Sequence, residues 1–171
     1  MRIGQGPIER FRPFAVIWPI SIRSAMLPDQ LRLALLQRHR IRKARAPEVV
    51  AAWAVEGVTV SVLPDVRHDA VVEQLRGSAT RARLVGSLQG IVAELGQTGD
   101  MAVIIGWDID NEPALLIRSD ALARSGASLR TIYPDGFVAT NQPVTRALIV
   151  DFEETGFQAD DVRLAESGYG S

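Results

Sequence analysis

The chain has 171 residues, of which 47% are hydrophobic and 23% are charged, and it contains no cysteine. This length and composition are typical of one globular domain. The lack of cysteine excludes disulfides, thiol nucleophiles and cysteine-bound metals. The net charge of −1 conceals an asymmetry, because residues 1–85 carry fourteen basic and seven acidic side chains, whereas residues 86–171 carry five and thirteen.

Three explanations fit a basic half and an acidic half in one small chain. The halves can face each other inside the monomer, they can join copies head to tail, or one half can meet a charged partner. Composition alone does not choose among them, and it says nothing about the fold.

The N-terminal residues 1–13 contain two glycines and two prolines and predict an extended arm. Residues 14–22 alternate in a period of two, which predicts a strand. Pro19 interrupts this apolar run and no small-residue cleavage site follows it, so we do not interpret it as a signal peptide. No apolar run approaches the roughly 20 residues of a membrane span. We therefore expect a cytoplasmic protein with no membrane partner.

Residues 28–97 are predicted to be mainly helical. A first helix opens at Pro28, with a buried apolar first half and a basic second half that projects into solvent. A new helix is expected from Pro47 to Gly57, then a strand at residues 58–63. A long amphipathic helix with a break near Gly77 is predicted for residues 66–95.

Residues 101–152 carry the strongest strand signals. Strands are predicted at residues 101–109, 114–118, 129–133, 136–140 and 146–152, with a short helical turn at residues 121–124 and a further turn near residues 160–165. The prediction is a single α+β domain over residues 14–160, whose mostly antiparallel sheet is covered on one face by the helices of residues 28–97. The strands at 14–22 and 58–63 extend that sheet or form a second one, and residues 161–171 form a frayed acidic tail.

A basic surface is predicted at the end of the first helix. It consists of Arg38, Arg40, Arg42, Lys43 and Arg45. These cations can neutralise phosphates of a nucleic acid or meet an acidic protein surface, in trans or on a neighbouring copy. Because no aromatic platform lies among them, the protein surface is the preferred partner.

An acidic surface is predicted near the strand ends of the second half. Its residues are Trp107, Asp108, Asp110, Glu112, Asp151 and Glu153. Carboxylates beside an aromatic side chain are typical of a surface that binds a basic protein. The competing interpretation is a solvated sheet edge guarded by charge.

Catalytic and metal motifs are largely excluded. The segment Asp108–Glu112 lacks the glycine and the later glutamate of a calcium loop, and two carboxylates alone are few for an oxygen-ligand site. His68 lies near acidic residues but no nucleophile can be assigned to it. We predict no metal and no cofactor.

The sequence therefore favours a non-enzymatic protein-binding module. One form is an immunity-like or inhibitor-like protein that neutralises a basic partner. The other is a subunit of a phage-like or secretion assembly, a homo-oligomer that joins copies through its complementary halves. The alternative is a nucleic-acid-binding accessory protein that uses residues 38–45, and a third is an enzyme built around His68 or the Asp108 and Asp110 pair.

Overall fold

The computed structural model describes residues 28–77, 80–97 and 99–164. The predicted arm (1–13), the predicted strand at 14–22 and residues 165–171 of the predicted tail lie outside these ranges. The helices are α1 (Pro28–Val55), α2 (Asp65–Arg76), α3 (Leu88–Gly96), α4 (Ser119–Arg124) and α5 (Leu129–Ile132). The strands are β1 (Ser61–Val62), β2 (Thr80–Leu84), β3 (Met101–Gly106), β4 (Leu115–Arg118), β5 (Gly136–Asn141), β6 (Arg146–Glu153) and β7 (Gly156–Arg163).

All seven strands form one sheet in the order β1-β4-β3-β5-β6-β7-β2, and every neighbouring pair is antiparallel. Strands β3 and β5 occupy the middle, where all residues but Met101 are buried. A continuous apolar run such as that of β3 is typical of a strand buried on both faces. The predicted α+β class with a mostly antiparallel sheet is confirmed.

Helices cover both faces of this sheet, whereas the sequence predicted one covered face. Val103 and Ile105 of β3 pack with Val71, Val72 and Leu75 of α2. The alternate residues Ala102 and Ile104 pack on the other face, in a core to which α1, α3, α4 and α5 contribute. Because successive side chains of a strand point to opposite faces, an unbroken apolar run needs cover on both sides.

Three local predictions are wrong. Residues 80–84 form β2 at a sheet edge and do not continue a long helix, because each of them pairs with a residue of β7. The turn predicted near residues 160–165 is strand β7 through Arg163, which also enters the segment predicted as a tail. Residues 129–132 are helical, since Leu129 and Ile132 lie three apart and bury the same side.

Helix α1 is one continuous element of 28 residues that includes Pro47. The prediction of a new helix at Pro47 is therefore wrong. The first predicted helix should bury its apolar first half, but no residue between Pro28 and Ile41 is buried. Its basic second half should project into solvent, but Arg42 is buried there. The buried apolar residues Val49 and Trp53 lie in the segment predicted as the second helix. Trp53 anchors the helix, because its Nε1 donates to the hydroxyl of Tyr133 at 3.1 Å. About 21 Å of helix therefore precedes the buried part, at 1.5 Å per residue.

No helix within the described ranges is both long and apolar enough to cross a membrane.

Candidate functional site

The basic residues of α1 divide into two faces. Arg38, Arg42 and Arg45 are spaced four and three residues apart, which places them on one side of a helix. We call these three the inner row, because each contacts the loop that follows β3. Arg40 and Lys43 lie on the other side and are exposed. The predicted basic surface is thus not one surface.

Arg42 is the centre of the inner row and only 4% exposed. Its Nε and Nη2 donate to Asp65 Oδ1 at 3.2 and 2.9 Å, and Nη2 also reaches Asp69 Oδ1 at 3.1 Å. Its Nη1 donates to the carbonyl oxygen of Asp110 at 2.9 Å. A buried guanidinium needs such partners for its donors. Arg42 therefore ties the start of α2 and the loop after β3 to α1.

The other two arginines of the inner row hold the side chains of the same loop. Arg38 Nη1 lies 3.3 Å from Asp110 Oδ1, and Arg76 Nη2 donates to both oxygens of Asp110 at 2.8 Å. Arg45 Nε lies 3.2 Å from Glu112 Oε1. Burial raises the pKa of Glu112 even though Arg45 acts to lower it. The negative charge of Glu112 raises the pKa of Arg45 in turn.

Opposite charges of the two chain halves meet inside the monomer. Five arginines of the first half pair with three carboxylates of the second half. The arginines are Arg38, Arg45, Arg76, Arg81 and Arg83, and the carboxylates are those of Asp110, Glu112 and Asp160. Asp160 is nearly buried between Arg81 and Arg83 of the edge strand β2. This geometry corresponds to the first of the three explanations for the charge asymmetry.

A second face of α1 points to solvent. Leu33 and Leu36 are 66% and 44% exposed. Arg40 and Lys43 follow at helical spacing on the same side, and within residues 28–77, 80–97 and 99–164 neither has a hydrogen-bond or ion-pair partner. We call Leu33, Leu36, Arg40 and Lys43 the outer stripe. The two leucines were expected in the core and were not recognised as surface residues from the sequence.

The six residues of the predicted acidic surface do not form one patch. Asp110 and Glu112 are engaged by the inner row, and Asp108 accepts a hydrogen bond from Asn111 at 2.8 Å. Trp107 packs at the sheet end beside Gly136, where an added Cβ would lie 2.8 Å from its ring.

The remaining two acidic-surface residues, Asp151 and Glu153, lie on β6. Asp151 pairs in register with Gly136, next to Trp107. Glu153 begins the β6–β7 turn, and its carbonyl oxygen accepts from Arg130. The predicted surface therefore separates into an internally paired loop and a sheet end.

A divalent cation site at Asp108 and Asp110, which the sequence did not favour, gains no support from their surroundings. Two arginines contact the Asp110 carboxylate, and their positive charges oppose a bound cation. In the part of the chain that the structure describes, no three His, Asp or Glu side chains converge as metal ligands would.

His68 contacts this same loop through its backbone. It is 1% exposed, and its Nε2 lies 2.8 Å from the carbonyl oxygen of Ile109. A carbonyl only accepts, so Nε2 carries the proton. Burial, followed by the positive charge of Arg42, lowers the pKa of His68. The imidazole is therefore neutral near pH 7, with Nδ1 as an acceptor.

A cleft of about 590 Å³ lies between α1, the edge strand β1 and the start of α2. Its walls are mainly apolar and include Ala46, Pro47, Val50 and Val62. Lys43 and His68 also line it. The sequence contained no signal for this cleft, because its walls come from three separate segments of the chain.

No protein-family model matches the chain, and neither a curated protein nor a solved structure proved significantly similar to it.

Proposed function

We propose that this chain is a non-enzymatic protein-binding module whose outer stripe docks on an acidic protein. The observation that carries the proposal is a helix face that combines two exposed leucines with two cations, and neither cation has a partner among the residues that the structure describes. Exposed apolar residues scattered singly are ordinary on a protein surface. Leu33 and Leu36 are instead neighbours on one helix face, and such a face is typical of a helix that binds in a groove or on a surface of a partner.

Charge complementarity supports an acidic partner. Arg40 and Lys43 flank the leucines, so a partner that presents carboxylates around an apolar centre would satisfy both features. A second copy of this chain fits less well, because Asp110 and Glu112 already hold the inner row. We therefore favour a separate acidic protein, which this chain inhibits or joins in a mixed assembly.

An inhibitor that neutralises a basic partner with its acidic half receives less support, because Asp110 and Glu112 of that half are already paired with the inner row. Nucleic-acid binding is the runner-up. It would rely on Arg40 and Lys43 alone in this segment, since Arg38, Arg42 and Arg45 are held by carboxylates. Two phosphate contacts supply only a weak affinity, with a shallow salt dependence, because the salt dependence grows with the number of contacts.

Site-specific photo-crosslinking in cells that naturally make the protein tests this proposal. A photoreactive phenylalanine replaces Leu36 in one variant and Val85 in the control. Val85 is 96% exposed and follows β2, at the opposite sheet edge from β1. We expect a discrete adduct with an acidic protein from position 36, lost when Arg40→Glu is added, and none from position 85.

The complex is then reconstituted from the purified protein and its purified partner. Binding of the purified partner should weaken by roughly tenfold in Arg40→Glu, because reversing a rim charge costs on the order of 1 kcal/mol or more. An adduct between two copies of this chain, an adduct with nucleic acid, or equal adducts from both positions would each contradict the proposal.

A further inference from the structure

The cleft beside β1 has the properties of a small-molecule site and is separate from most of the outer stripe. Its volume of about 590 Å³ lies within the roughly 300–1,000 Å³ usual for ligand pockets. Ala46, Pro47 and Val50 supply an apolar wall from α1, and Val62 supplies one from the sheet edge. Apolar walls with few polar groups are typical of sites that take a mostly apolar ligand.

One polar group in the wall, on the side chain of His68, has no hydrogen-bond partner within the described ranges. Nε2 of His68 is occupied by the carbonyl of Ile109, so the group that His68 can offer a ligand is Nδ1. In the described part of the chain, Nδ1 has no hydrogen-bond partner. Because the side chain of His68 is only 1% exposed, little water can hydrogen-bond to its Nδ1. A ligand that donates to Nδ1 would add this hydrogen bond. A hydroxyl of a ligand would provide that donor.

A second polar group supplies positive charge. Lys43 lines the cleft, and its ammonium has no ion-pair partner within the described ranges. The neighbouring Arg42 and Asp65 also line the cleft, but they neutralise each other at 2.9 Å. The net charge that the cleft offers is therefore that of Lys43, which favours an anion.

We propose that the cleft binds a small phenolic carboxylate, whose hydroxyl donates to His68 Nδ1 and whose carboxylate meets Lys43. The aromatic ring lies against Val50 and Val62. An aromatic body suits this cleft, since it buries a large apolar area while losing little conformational freedom. The site overlaps the proposed docking surface of α1 at Lys43 alone.

Isothermal titration with three small probes tests the inference on the full chain. The probes are para-hydroxyphenylpropionate, phenylpropionate without the hydroxyl, and tyramine, which replaces the carboxylate by an amine. We expect para-hydroxyphenylpropionate to bind best. Loss of the hydroxyl should weaken binding about fivefold, the effect of one net hydrogen bond, and tyramine should bind at least tenfold more weakly.

Variants locate the binding. Lys43→Gln should weaken para-hydroxyphenylpropionate about fivefold and leave tyramine unchanged or improved, because it removes only the cation. Arg40→Gln, the matched change one turn away, should alter neither. His68→Phe should make the phenol and phenylpropionate bind equally.

Several results would overturn the inference. They are no saturable binding of any probe up to millimolar concentration, equal affinity for the phenol and phenylpropionate in the unaltered chain, or equal effects of Lys43→Gln and Arg40→Gln. Lys43→Gln also guards against misfolding, since Lys43 is exposed and its loss leaves the core intact. Failure of the probes would leave the crosslinking result at Leu36 unaffected, so the two proposals stand or fall separately.

Discussion

Replacing Arg42 by methionine should destabilise the protein far more than the same change at Arg40. Arg42 is 4% exposed and donates to Asp65, Asp69 and the carbonyl of Asp110. Removing one partner of a fully buried ion pair costs about 3–5 kcal/mol. Asp65 and Asp69 are 48% and 40% exposed, so water can solvate them again, and we expect about 2–3 kcal/mol.

Arg40 provides a matched control on the same helix. It is exposed and has no partner in the described ranges, so Arg40→Met should change stability by less than about 0.5 kcal/mol. For a chain of this size, 1 kcal/mol corresponds to about 2–4 °C in Tm. The expected fall in Tm is therefore roughly 4–12 °C for Arg42→Met and near zero for Arg40→Met.

Urea unfolding followed by tryptophan fluorescence measures both variants, because the buried Trp53 reports on the packing of α1. Equal urea midpoints for Arg40→Met and Arg42→Met would refute the division of α1 into an inner row and an outer stripe.

Three further predictions concern buried polar groups. Burial lowers the folded-state pKa of His68, so the stabilising contribution of the neutral imidazole is present above its unfolded pKa of about 6.5 and is lost as pH falls. Calorimetry at several pH values should show that the stability of His68→Gln falls less steeply with falling pH. An unchanged dependence of stability on pH would contradict this. Thr140 Oγ1 is buried without a described partner, so Thr140→Val should raise the free energy of unfolding by up to about 1 kcal/mol, and a marked decrease in urea unfolding would be the opposite outcome. Tyr133→Phe removes the acceptor of Trp53 Nε1 and should cost about 1–3 kcal/mol, which thermal unfolding would disprove by showing no change in Tm.

The centre of the fold was predictable because its signals are local. The run Met101–Gly106 is apolar, and its Val103, Ile104 and Ile105 have a high strand propensity. Gly136 opens β5 with a positive φ of 130° that suits glycine. Each of these features is contained in a few adjacent residues. The α+β class and the antiparallel sheet follow from them.

The edge of the sheet was not predictable in the same way. Ala82 and Leu84 also fit a helical repeat with later apolar residues, and β2 exists because it pairs with β7, about eighty residues away. The register joins Thr80 to Arg163 and Leu84 to Ala159. Strand pairing over such distances leaves no mark in a short window of sequence.

The charged residues of the candidate site were predictable from the sequence, but their contacts were not. The cluster of cations in residues 38–45 was evident, and so was the acidity of the segment Asp108–Glu112, but not that the two meet. The spacing of Arg38, Arg42 and Arg45 was a usable signal, because it separates them from Arg40 and Lys43 on a helix. Asp65 and Asp69 repeat the same four-residue spacing on α2 and face Arg42.

Light scattering after size exclusion, at low and at high ionic strength, tests the central claim most directly. If the charges of the two halves are paired inside the monomer, the isolated protein elutes with the mass of one 18.6 kDa chain at both ionic strengths. A particle larger than a monomer that becomes smaller as salt rises would show that the halves pair between copies, and would contradict the account.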